Sequence, residues 1–165
     1  MSEKNDKKHT PVTPDDNKQA EFMIHRLFVK DISFESPDSP DTFKQEWKPV
    51  VDLAIDNNSR ELEKDLYEAT LKVTVTTKLK DKVAFVAEVK QAGLFMIKNF
   101  TEEQKEELLG SFCPSTLFPY VREVISDVIN RGGFPPLYLA PINFDAIYNE
   151  RKKQKKSKDT SQERG

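Results

Sequence analysis

The chain has 165 residues, of which 36% are apolar and 33% charged, with 11 Phe, 4 Tyr and 1 Trp; this is one domain of ordinary size with enough aromatic mass for a core. Its 26 basic and 28 acidic side chains leave a net charge of −2, which favours neither nucleic acid nor a membrane surface as partner. The single cysteine, Cys113, excludes an intramolecular disulfide framework, no apolar run approaches membrane-spanning length, and the N-terminal stretch lacks the apolar core of a signal peptide, so a soluble cytoplasmic protein is expected.

Charge is unevenly spread. Residues 1–20 hold four basic and four acidic groups, with Pro11 and Pro14 and no aromatic, which predicts a disordered N-terminal extension. Residues 149–165 hold seven basic and three acidic groups, and 151–165 reads as a basic, flexible tail or frayed helix end. The body between, 21–148, carries 15 basic against 21 acidic groups.

The body opens with strands. Between Phe22 and Glu35 apolar residues fall on both parities, Phe22, Ile24, Phe28, Ile32 and Phe34 on one, Met23, Leu27 and Val29 on the other. A Pro/Asp/Ser cluster, SPDSPD, starts a long crossover over 36–48. Residues 50–55 alternate as a second strand that Asp56-Asn57-Asn58-Ser59 should end. Residues 66–77 alternate cleanly as a third, and 83–97 form a fourth in which Gly93 predicts a bulge. Thr101 and Gln104 have capping-box spacing, and Gly110 stands where that helix should stop. The main helix is predicted over 115–131, closed by Gly132-Gly133, with Pro119 in its first turn. After FPPLYLAPI, a last helix starts at Asn143. All strands followed by two main helices predicts an α+β fold on a four-stranded antiparallel sheet.

Little here suits catalysis. The two histidines, His9 and His25, have no metal-ligand partners at suitable spacing, and there is no phosphate-binding glycine loop. Cys113 precedes Pro114 near a helix start, where a thiol can be activated, but a small buried side chain is the favoured reading. No enzyme, metal site or cofactor is expected.

Binding is better supplied. The fourth strand is apolar on both parities, so one chain's helix leaves a second apolar surface. A homo-oligomer burying the main helix through Leu117, Val121, Val124, Ile125 and Val128, or burying a sheet face, would use it; cover by the connector 134–142 is the alternative. Phe34, Phe43 and Trp47, in or beside the crossover, together with Phe144 and Tyr148 of the last helix, suit the walls of an apolar groove, although rings that merely pin the loop would show the same pattern. Asp31 and Glu35 share a strand parity and, with Glu88, suit an acidic docking patch or an ordinary solvated face.

Four segments carry a resemblance: FMIHRLFVKDISFESP at 22–37, LYEATLKVTVT at 66–76, CPSTLFPYVRE at 113–123 and GGFPPLYLAPINFDAIY at 132–148. In order and spacing they are similar to the SecB family of cytosolic export chaperones of Gram-negative bacteria, over roughly 21–150. The resemblance implies a homotetramer built as a dimer of dimers. It also implies ATP-independent holding of unfolded preproteins and their delivery to the SecA ATPase, with neither nucleic-acid binding nor membrane insertion. It places the client groove at Phe34, Phe43, Trp47, Phe144 and Tyr148. It places the SecA contact at Asp31, Glu35, Val86 and Glu88, where Val86 stands in for an expected leucine; zinc belongs to that partner. The alternative within the same fold is a chaperone dedicated to a single antitoxin-type client. The longer lead-in and the Lys-rich tail depart from the family pattern.

Overall fold

In the computed structural model the described residues are 18–162, so most of the predicted N-terminal extension and the last three residues of the tail lie outside them. Four long strands, β1 (Glu21–Glu35), β2 (Pro49–Glu63), β3 (Leu66–Leu79) and β4 (Lys82–Lys98), form one antiparallel sheet in the order β1-β4-β3-β2. The expected α+β architecture is present. Because β1 and β2 are the two edges, the crossover 36–48 must pass from one side of the sheet to the other. It does so around the end of the β3–β4 hairpin, held there by Ser36 Oγ donating to the Ala84 carbonyl at 2.8 Å and by a Lys82–Asp38 ion pair at 3.2 Å.

Two local expectations within the sheet are corrected. β2 does not stop at Asp56 but runs on through Asn57, Asn58 and Ser59 to Glu63, paired with β3 except for a bulge at Leu62. As an edge strand it tolerates polar residues that a central strand would not, and β3 supplies the ladder. Gly93 is not bulged: it stays in register with Leu27 and Ala69. Its missing Cβ makes room for Phe95, whose ring would lie 2.6 Å from one. The irregularity of β4 lies at Ala84, opposite Thr77 and Lys78 of β3, and in its pairing with β1 the shifts fall on β1, between Ile24 and Arg26 and between Val29 and Asp31. These two bulges explain the mixed parity of β1. By re-phasing the strand they put Phe22, Ile24, Leu27, Val29, Ile32 and Phe34 opposite alternate β4 residues, all on one face of the sheet.

The helical half is more continuous than its glycine suggests. α1 (Glu102–Glu107) starts at the predicted capping box, in which Thr101 and Gln104 bond reciprocally. Gly110 does not end it. A π-turn over Leu108–Phe112 leads directly into α2 (Cys113–Arg131). Pro114 has no N–H for the Gly110 carbonyl, and its ring would crowd that oxygen in an ordinary α-turn; widening the turn relieves both. The freed carbonyl lies 3.5 Å from the Asn57 amide, which donates to it. Since α2 begins at Cys113, Pro119 sits inside the helix rather than in its first turn.

α2 lies on β3 and β4. Leu117, Val121, Ile125 and Ile129, spaced four apart, are fully buried against Leu71, Val73, Val75, Phe85 and Val89 and their neighbours. Each such side chain stabilises the fold by roughly 2 kcal/mol relative to exposure. This corrects the interface assignment for Leu117, Val121 and Ile125: their stripe is used within the chain, and only the flanking Val124 and Val128 keep exposed surface. The connector 134–142 packs on this same side, through buried Phe134 and Leu139, so it does not cover the opposite sheet face. α3 (Phe144–Gln162) starts at the predicted Asn143, whose side chain accepts from the Ala146 amide at 3.0 Å. It continues through the basic stretch Arg151–Lys158 to Gln162.

Candidate functional site

α2 is narrower than the sheet. The helix-side face of both edge strands therefore stays partly uncovered, leaving Ile24, Val29 and Ile32 on β1 and Val51 and Leu53 on β2 exposed. At the C-terminal end of α2 this apolar fringe meets an aromatic cluster. Phe134, immediately after Gly132-Gly133, is its centre: its ring centroid lies 4.8 Å from Phe85, 5.0 Å from Phe43, 5.5 Å from Trp47 and 6.4 Å from Phe34. Phe34 also stacks on Phe85 at 5.8 Å. The two glycines are needed for this approach. A Cβ on Gly132 would fall 2.2 Å from the Phe34 ring, and Gly133 adopts a φ of +85° as the chain turns out of the helix.

The cluster is layered. Phe85 and Phe134 are buried, Phe34 is half-buried, and Phe43 keeps 51% and Trp47 36% of its surface exposed. The rings pin the crossover to the core, and Phe43 and Trp47 still present apolar area outward. A groove of about 790 Å³ between α2 and the connector is lined by Val124, Pro136 and the exposed Tyr138 together with the charged Arg122, Glu123 and Asp127.

Phe34, Phe43 and Trp47 come together as expected, but Phe144 and Tyr148 do not join them. Phe144 is buried at the other end of α2, edge-on to Phe118 at 5.9 Å. That is about 20 Å along the helix from Gly132 at 1.5 Å per residue. Tyr148 lies over Gly110, where an added Cβ would meet its ring at 2.6 Å. Alternation along a crossover and a last helix cannot reveal that an extended connector carries the chain back along the whole of α2 between them. Phe134, Phe85 and Tyr138 were missed; an aromatic directly after two helix-ending glycines was the available signal for Phe134.

The four docking candidates share the sheet face opposite α2. Glu35 pairs with Val86, Ser33 with Glu88 and Asp31 with Lys90, so Asp31, Glu35, Val86 and Glu88 occupy one patch across β1 and β4. Glu88 accepts from the Thr74 hydroxyl at 2.7 Å. Further along this face Glu68 is nearly buried between Lys30, at 3.2 Å, and Arg60, at 2.9 Å. Burial pushes its pKa up, but the hydrogen bonds from Arg60 and Lys30 more than offset this and hold it below the usual carboxylate range.

Cys113 is fully buried, and desolvation pushes its thiol up to about 12, so it carries no thiolate near neutral pH. Among the described residues no three His, Cys, Asp or Glu side chains gather as a metal-ligand set. No described helix is long and apolar enough to cross a membrane.

The site thus combines one helix layer on the sheet, a partly exposed aromatic cluster at the crossover, and Asp31, Glu35 and Glu88 on the opposite sheet face. Comparison with known proteins places the chain more narrowly. The family described as preprotein translocase subunit SecB matches residues 15–155. The protein-export protein SecB of Nitrosococcus oceani is 48% identical over 147 residues, covering 88% of this chain and 90% of the relative. That of Methylococcus capsulatus is 49% identical over 136 residues, covering 81% and 88%. The chain belongs to the SecB family. Its fold is also that of a Mycobacterium tuberculosis SecB-like chaperone solved in complex with an antitoxin peptide, with a TM-score of 0.62 at 17% identity over 73% of this chain and 90% of that one.

Proposed function

We propose that this protein is a cytoplasmic, ATP-independent holdase that binds unfolded preproteins, keeps them competent for export and hands them to the SecA ATPase. The observation that carries the reading is the partly exposed pair Phe43 and Trp47, seated on buried Phe134 in a chain whose relatives are named as export proteins. An unfolded chain exposes apolar and aromatic side chains that rigid, outward-facing rings accept with little demand on sequence. A folded protein has buried those groups, so conformation itself is what is selected.

A homotetramer, arranged as a dimer of dimers, fits the same reading. The exposed fringe of Ile24, Val29, Ile32, Val51 and Leu53 and the outward sides of Val124 and Val128 are the apolar surfaces that association would cover. Repeating the aromatic cluster in each subunit lets one extended client make several weak contacts at high effective concentration, on the order of 10²-fold tighter than one. Asp31, Glu35, Val86 and Glu88, on the face away from the aromatics, are assigned to SecA, so that docking and client binding use different surfaces. The single-antitoxin alternative has less support: its structural counterpart is 17% identical, against 48–49% for the export relatives.

The test is the double variant Phe43→Ala/Trp47→Ala, titrated with an unfolded preprotein. Affinity should fall at least about 10-fold, as expected for the loss of two aromatic contacts, with the oligomer unchanged by light scattering. Wild-type affinity would remove the aromatic cluster from the mechanism.

A further inference from the structure

We infer that the junction of α3 with β2 is a binding site for a phosphate-bearing anion, independent of the holdase reading. A cavity of about 380 Å³ opens there, near the lower end of small-ligand sites. Its walls bring Arg151, Lys152 and Lys155 from α3 to Asn58 and Ser59 of β2; Glu106 is the carboxylate in the lining, and Glu103, outside it, pairs with Lys152. With Lys152 paired to Glu103, Arg151 and Lys155 supply the cationic excess over Glu106, and the Ser59 hydroxyl is a donor of the kind that holds phosphoryl oxygens.

The site is built rather than merely crowded. Asn57 spends both ends of its amide on fixing it: Oδ1 accepts from the Arg151 guanidinium while Nδ2 donates to the Gly110 carbonyl. That carbonyl is available because of the π-turn, and π-turns within α-helices recur at functional sites. Gly110 also forms part of the lining, and its missing side chain admits the Tyr148 ring as a second wall. Arg151 and Lys155, four residues apart, share one face of α3. Lys152 is held at 2.8 Å by Glu103, whereas Lys155 has no ion-pair partner among the described residues. The guanidinium offers a planar fork held in place, and Lys155 a mobile point charge. A phosphoryl group, free or on a lipid headgroup, fits that combination. The helix over 151–160 carries no apolar residue to insert in a bilayer and no aromatic to stack on a base.

Inorganic pyrophosphate titrated into the full-length protein, followed by the side-chain amide NMR signals of Asn57 and Asn58, tests the site. Binding should weaken at least about 10-fold in Arg151→Gln/Lys155→Gln and stay within about twofold in Lys153→Gln, which removes a charge outside the cavity. Co-sedimentation with phosphatidylglycerol vesicles is the second arm. Vesicle binding with the same pattern but no pyrophosphate binding assigns the phosphoryl group to a lipid headgroup. No binding in either arm, or equal loss in Lys153→Gln and the double variant, overturns the site.

Discussion

The Trp47 indole rests on the Phe134 ring, centroids 5.5 Å apart, with Phe134 4% and Trp47 36% exposed. One ring serves the core and the other the surface. Phe134→Ala should therefore destabilise the fold by about 3–5 kcal/mol, the usual cost of emptying a buried phenylalanine site. Trp47→Ala should change stability far less. Chemical denaturation of the two variants checks this, and comparable losses would mean that Trp47 is a core residue.

The close fit of Gly110 to Tyr148 makes a second prediction. Gly110→Ala favours the helix intrinsically by up to about 1 kcal/mol, yet it drives a methyl into the Tyr148 ring. The expected net effect is a loss of about 1–3 kcal/mol, as in other overpacked sites. In a Tyr148→Ala background the same change should become neutral or stabilising. Thermal melts of the four proteins of this cycle decide it; no coupling would mean that the ring moves away freely.

Glu68 gives a pH dependence with a definite sign. Its folded pKa lies below its ordinary value of 4.5, so its stabilisation is fully present above pH 4.5 and is lost as pH falls through the folded value. Glu68→Gln should flatten the acid limb of the stability profile below pH 4.5 and leave its shape above pH 6 unchanged. An identical acid limb in the variant would show that Lys30 and Arg60 do not hold the carboxylate in solution.

Asp31 and Glu88 lie on the sheet face opposite α2, away from Trp47, so the proposed SecA and client contacts use separate surfaces. Asp31→Lys/Glu88→Lys should weaken SecA binding at least about 10-fold while leaving client affinity within about twofold, since charge reversal acts through the partner that reads the charge. Calorimetry with each partner in turn measures both. Equal losses would place the two partners on one surface.

Much of this was legible in the sequence wherever a local pattern and its tertiary use coincide. β3 alternates because one face meets α2 and the other does not, and the Thr101 capping box and Asn143 cap declare themselves in four residues. The readings failed where distant groups decide. Asp56–Ser59 look like a turn but are carried as strand by β3. Gly110 looks like a helix stop, but Pro114 and Tyr148 fix its role as a π-turn. The two bulges of β1 are set by pairing with β4, so its mixed parity could not be resolved locally. For the candidate site, the composition of the crossover anticipated that Phe34, Phe43 and Trp47 lie together, whereas the place of Phe144 depends on the path of the connector, a tertiary property.

The central claim, recognition of the unfolded state by an aromatic surface, is met most directly by one client in two states. A preprotein held unfolded and the same protein folded would each be titrated calorimetrically, without nucleotide. The account predicts binding of the unfolded form alone, with less than one client per chain and a negative heat-capacity change from apolar burial. Equal binding of the folded form, or binding only when ATP is added, would contradict it.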